Sequence, residues 1–176
     1  MRVSASFNSN QSLVNLLLRF VPNSTMLDNV LHVGLFNGTM PTDDQILALL
    51  GSSQLPTWTA AAVAPFATAS NFLGDLACLS IVPTIDPDAL SLVIPLSSQA
   101  NNFVIATSGT PTWFMMRLCA AASAGSAFAN WSASTTCSAL VWGTVGDENS
   151  TADLKIVGGT VTANVAVRPS DIRIKL

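Results

Sequence analysis

Tyrosine is missing from this chain, histidine occurs once, as His32, and charged side chains are scarce. Acidic and basic residues make up 10% of the 176 positions, against about 25% in an average soluble domain. Three stretches, 45–74, 89–116 and 118–146, contain no acidic or basic side chain at all. A single histidine rules out the paired-histidine ligand sets typical of zinc, and Cys78, Cys119 and Cys137 have no CxxC spacing, so no metal or other cofactor is expected. A spanning helix needs about 20 predominantly apolar residues. The best stretch, 60–79, is broken by Pro65, Thr68, Ser70, Asn71, Gly74 and Asp75, and membrane insertion is not expected. The opening residues 1–10 are polar and lack the basic and apolar blocks of a secretory leader. With a formal net charge of −3 and a pI near 4.7 there is no basic stripe to neutralise phosphates, so direct nucleic-acid contact is not expected. The only basic grouping, Arg168, Arg173 and Lys175 beside Asp171, reads as a solvated strand face.

What the chain has in quantity is apolar surface. Apolar residues make up 49% of it, which excludes a disordered polymer and is enough for one core. Seven basic and ten acidic side chains spread over an exposed area on the order of 8,000 Å² insulate a monomer poorly from its neighbours. The expectation is a folded chain whose surface is partly covered by other chains. The cysteines sit among apolar neighbours and read as buried thiols of a reducing compartment. Five Asn-x-Ser/Thr triplets, starting at Asn10, Asn23, Asn37, Asn130 and Asn149, read as chance in so Asn-, Ser- and Thr-rich a sequence.

Along the chain, residues 1–11 read as an N-terminal arm and 12–176 as a single β-rich domain that opens with a helix. Leu13, Leu16, Leu17 and Phe20 follow helical spacing over 12–20, with Ser12 as cap and Pro22 as stop. Residues 31–36 form a buried strand ending in an Asn37-Gly38 turn. Thr42, Asp43 and Asp44 cap a short helix over 45–50. Four prolines between 52 and 90 predict irregular loops and short strands, with a helical turn near 69–73. Residues 91–96 and 102–106 suit a pair of strands, and 112–118 is a strand of bulky residues. The small-residue segment 120–136 reads as a loop and 139–144 as a strand. Gly158-Gly159 signals a hairpin between 153–157 and 160–167, with Val161, Ala163, Val165 and Val167 on one face. Ile172, Ile174 and Leu176 alternate with Arg173 and Lys175 in a last strand. About eight short strands after one helix predict a mainly β fold, an antiparallel β-sandwich or jelly-roll-like domain.

Chemistry-bearing patterns are sparse. His32 stands between Leu31 and Val33 inside an apolar strand, where a lone histidine is usually structural; a hydrolase built on it and one of the acids is the least favoured reading. The acid pairs Asp43-Asp44, Asp86/Asp88 and Asp147-Glu148 lack the further spaced ligands of a calcium loop and read as turn acids and a helix N-terminus. Trp113 and Trp142 fall in strands and read as core. Trp58 and Trp131 fall in loops and are the better candidates for exposed contacts, such as a sugar-stacking platform.

Several segments taken in order resemble a family. Leu35-Phe36-Asn37-Gly38-Thr39-Met40-Pro41-Thr42 resembles the N-terminal hallmark of a widespread group of small phage virion proteins. Ser108-Gly109-Thr110-Pro111-Thr112-Trp113-Phe114 is similar to that group's Gly-x-x-x-Trp-Phe strand start, and Trp142-Gly143-Thr144-Val145-Gly146 to its Gly-x-Val-Gly turn. Ala152-Asp153-Leu154-Lys155-Ile156 and the Gly-Thr-Val at 159–161 resemble its closing strands. The chain departs from the pattern in a long insertion over 45–90 and in the Ala/Ser-rich stretch near 120–136. The resemblance implies a structural, non-enzymatic virion subunit with no catalytic residue to carry over. Its partners would be copies of itself and other virion proteins, placed as capsid cement or in the neck, tail or baseplate. The alternative is a receptor- or glycan-binding β module presenting Trp58 and Trp131.

Overall fold

A computed structural model describes residues 29–49, 57–76, 78–79, 83–98, 105–120, 127–132 and 135–175. The expected arm 1–11, the helix over 12–20 and positions 102–104 lie outside them. The organising element is β1 (Asn29–Phe36), the apolar run that follows the arm and helix segments in the sequence. Its side chains alternate between two buried clusters. Leu31, Val33 and Leu35 enter one, while Phe36 enters the other on the face that also carries His32 and Gly34. Both faces are therefore covered, which is why this strand reads as a continuous apolar run rather than as an alternating one.

On one edge β1 pairs along its whole length with β7 (Trp113–Ala120), from Asn29↔Ala120 to Phe36↔Trp113. On the other it pairs with β3 (Phe72–Asp75) and, near its start, with β4 (Cys78–Leu79). β7 in turn pairs with β8 (Thr135–Gly146), whose outer edge carries β2 (Thr57–Trp58) at one end and β9 (Leu154–Lys155) at the other. The resulting order is β2-β8-β7-β1-β3, antiparallel except for the β8–β9 pair. A second sheet has the order β10-β6-β5, built from β5 (Thr84–Asp86), β6 (Ser91–Ile94) and β10 (Ile172–Lys175). Two sheets and few helices make the chain mainly β, as its sequence predicts.

The two faces of the large sheet are covered differently. Leu92, Ile94 and Ile172 of the small sheet share a cluster with Leu31, Val33, Leu35, Phe114 and Met116. The opposite face is covered by three short helices. In α1 (Asp43–Leu47) the Thr42 hydroxyl accepts the Gln45 amide, and the Gln45 side chain accepts the Thr42 amide in return, satisfying two helix-end donors. In α2 (Ala60–Val63) the Thr59 hydroxyl accepts the Ala62 amide at 3.0 Å. The third, α3 (Phe128–Trp131), has no side-chain cap and is held by its aromatic residues. Phe36 stacks on Trp113 with centroids 4.1 Å apart and meets Trp131 edge-on at 4.8 Å. Each such pair adds about 0.5–1.5 kcal/mol beyond the area it buries.

Several expectations are corrected. The helical turn lies at Ala60–Val63, not near 69–73, because the Thr59 cap starts a helix there and residues 72–75 join β1 as a strand. Ser91–Ile94 has β5 and β10 as its neighbours, and of the expected strand 102–106 the described residues Ile105 and Ala106 are not in a strand. Residues 160–167 are a loop. Val161 bridges Gly109 in a single rung, and Asn164 at φ 61° turns the chain so that Val165 faces outward at 52% exposure. Gly158 and Gly159 do turn the chain at positive φ, but the turn opens an excursion that an Ile156–Pro169 bridge closes. Trp131 is the buried residue of helix α3, not part of an exposed loop.

Candidate functional site

The segments that carry the family resemblance are far apart in the chain and meet at one end of the large sheet. Thr112 connects them. Its amide donates to the Phe36 carbonyl at 2.8 Å, its hydroxyl to the Gly38 carbonyl at 2.6 Å, and its own carbonyl accepts the Val145 amide at 2.9 Å. Gly38 takes φ 85°, a conformation natural only to glycine, as the chain leaves β1. One strand further out, Asp153 accepts both the amide and the hydroxyl of Thr144, at 2.9 and 2.8 Å. The Ile156 amide donates to the Gly146 carbonyl, and the Gly109 and Val161 backbones exchange both bonds. Residues 36–38, 109–113, 144–146 and 153–161 thus form one hydrogen-bonded unit.

The other constellation lies inside. His32 of β1, Asp75 at the end of β3 and Arg117 of β7 are the lone titratable residues of their apolar strands, setting the Cys119 thiol aside, and all three are buried, at 0%, 3% and 0% exposure. Register puts Arg117 opposite His32 and Asp75 opposite Gly34, on the helix-covered face. His32 Nδ1 and an Asp75 carboxylate oxygen form a short hydrogen bond, and Arg117 Nη2 donates to the Asn130 carbonyl of α3 at 3.1 Å. Burial pushes the Asp75 carboxyl up from its ordinary value of 3.8. The hydrogen bond and charge of His32, the Arg117 charge and the Val33 backbone pull it down without cancelling that rise. A histidine–carboxylate pair is proton-relay chemistry in an open cleft. Sealed from solvent, this one ties three strands and a helix together. The sequence hides it because its members lie in three separate segments. One signal was legible: Asp75 ends one charge-free stretch, and Arg117 is the single charge between two others.

The remaining candidates are dispersed. Asp43 and Asp44 occupy the exposed first turn of α1. Asp86 accepts the Ala89 amide and pairs with Arg173, which together hold its carboxyl below the ordinary range. Asp88 stands exposed in the following turn. Asp147 accepts the Asn149 amide, and Glu148 accepts the Gly158 amide, which lowers its carboxyl likewise. Among the described residues no group of three His, Cys, Asp or Glu side chains could hold a metal ion, and no helix is long and apolar enough to cross a membrane. Trp113 and Trp131 are fully buried and Trp142 is half-buried against the same cluster; the side chain of Trp58 lies outside the description. The β7–β8 register sets Cys119 opposite Cys137, while the cysteine side chains also lie outside the description.

Two hollows open on the surface of the described residues. A cleft of about 590 Å³ is lined by Val141, Asp153, Lys155, Asp171, Arg173 and Lys175, among others. Its carboxylates already serve the fold, Asp153 at Thr144 and Asp171 at the amide and hydroxyl of Ser97. A smaller hollow of about 350 Å³ lies on the 157–168 excursion and is walled by Val157, Val165 and Val167. No family model, curated protein or solved structure matches the chain.

Proposed function

We propose that this chain is a structural, non-enzymatic subunit of a bacteriophage particle, acting by symmetric assembly with copies of itself and with other virion proteins. The observation that carries the reading is the unit centred on Thr112, where the segments resembling the phage family join through backbone and hydroxyl bonds. Motif residues that build one hydrogen-bonded corner and hold no exposed reactive pair belong to a scaffold. In this reading the two sheets form a sandwich whose outer face carries the helical layer, and a place on the capsid surface, as cement, is favoured over neck, tail or baseplate. The sparse charge fits, since a subunit that buries several faces needs little surface charge to stay dispersed.

The test is the solution mass of the full chain by multi-angle light scattering over a range of concentrations. A discrete closed oligomer is expected, and a monomer throughout would refute self-assembly. The glycan-binding alternative needs an aromatic platform, and Trp131, one of its two expected anchors, is sealed under α3.

A further inference from the structure

The large apolar side chains exposed among the described residues are Met40, Leu47, Val157 and Val165, at 38%, 59%, 65% and 52%. They fall into two pairs on opposite layers of the fold. Met40 precedes α1 and Leu47 ends it, while Ile46 of that helix packs into the cluster on the helix-covered face. Asp43 and Asp44 stand four and three residues before Leu47 and so share its outward face. These exposed side chains form an apolar knob beside two carboxylates.

Val157 and Val165 line the hollow of about 350 Å³, with Arg168 on its wall. The floor residues Ile156, Val161 and Val167 belong to the cluster shared with the small sheet, on the other face of the large one. This is a socket of mixed lining, with Thr160 and Thr162 beside the valines and a guanidinium on its wall. Among the described residues, Asp43, Asp44 and Arg168 make no ion pair within their own chain.

Knob and socket each expose apolar side chains and carry opposite charge, and they lie on opposite layers. A patch paired with its own copy across a two-fold axis must be self-complementary; two different, mutually complementary patches generate head-to-tail contacts, which close into rings or run into filaments. We propose that copies of this chain associate head to tail, with Met40 and Leu47 of one copy seated in the Val157–Val165 socket of the next and Asp43 and Asp44 facing Arg168. The inference rests on the assembly reading above and names the contact through which it works.

The experiment uses full-length Leu47→Glu and Val165→Glu, both at exposed positions, with thermal unfolding to confirm that each folds. Light scattering should show each variant alone as a monomer, its association weakened about thirty-fold or more, as for a central interface residue. Mixed one to one they should form a dimer and nothing larger, because one intact knob meets one intact socket. Asp44→Lys and Arg168→Glu should each weaken assembly, and the double variant should recover it. Wild-type oligomers left intact by both glutamate variants would overturn this contact while leaving the assembly reading standing. So would a mixture that stays monomeric. A wild-type chain that is monomeric at every concentration overturns both.

Discussion

Gly34 offers a direct test of how the helical layer seats on the sheet. It sits in β1 with backbone partners on both edges, Asp75 on β3 and Met115 on β7, so its backbone has no room to retreat. A Cβ added there would stand 2.7 Å from Trp131 Cε2 and 2.8 Å from Phe36 Cε2, against a comfortable carbon separation of about 3.5–4.0 Å. Neither ring can yield easily. Phe36 is stacked on Trp113, and Trp131 lies 5.9 Å from Phe128 and 6.0 Å from Phe72. Relief requires α3 to lift away from β1. Overpacking of this kind costs about 1–3 kcal/mol, and two hard contacts inside a braced strand put Gly34→Ala near the upper end, about 3 kcal/mol.

The measurement is equilibrium unfolding in urea at one fixed protein concentration, since self-association would otherwise shift the apparent stability. Repeating the substitution in a Trp131→Leu background isolates the cause. With the indole gone Phe36 can shift into the space it leaves, which relieves both contacts, and the cost of Gly34→Ala should fall below about 1 kcal/mol, a coupling near 2 kcal/mol. An equal cost in both backgrounds would mean that α3 does not rest on β1 at Gly34, and the seating described here would be wrong.

Three further outcomes follow from the polar residues. Arg117→Met removes a cation from beside buried Asp75 and a donor from the Asn130 carbonyl, and should cost about 3–5 kcal/mol in the same urea assay. Adding His32→Leu and Asp75→Leu to it should recover most of that loss; a single variant as stable as wild type would dismiss the cluster as a stabilising tie. Asp75 has a carboxyl raised above 3.8, so the folded chain holds a proton that the unfolded chain releases. The stability this contributes is complete below pH 3.8 and is lost as pH rises through the folded value. The margin of wild type over Asp75→Asn should therefore shrink as pH is raised from 3.8, and a margin that widened would reverse the sign argued here. Thr42→Ala removes the α1 cap and should cost about 1 kcal/mol by thermal unfolding; no change would mean that the helix is held by its packing alone.

Strands with two covered faces were the easiest to read. Residues 31–36, 112–118 and 139–144 are apolar runs too dense for a surface position, and they became β1, β7 and the end of β8. The Thr42 cap was equally plain, because a hydroxyl, two acids and a glutamine in that order satisfy a helix end. The rest of the helical layer was not legible. Elements of four residues are little more than one turn and leave no 3.6-residue period to detect. Alternation misled at 160–167, where Val161 and Val167 are buried but belong to two ends of an excursion, with Asn164 donating to the Ile105 carbonyl between them. The buried cluster joins residues whose proximity only the strand order creates.

The place of β1 in that order has a consequence for how the chain is made. Its long-edge neighbour, β7, is Trp113–Ala120, and contacts such as Asp86 to Arg173 span 87 residues. During synthesis β1 can pair on one edge with β3 and β4 soon after it emerges, but its other edge, paired along its whole length in the finished fold, stays open until Trp113–Ala120 has followed. Non-local pairing of this kind slows folding and prolongs the exposure of apolar strands. The β7–β8 pair, consecutive strands of the second half, can form on its own schedule and offer β1 its template. The long edge of β1 therefore waits on the second half of the molecule, and a nascent chain stalled before Trp113 would carry an apolar strand open along that edge.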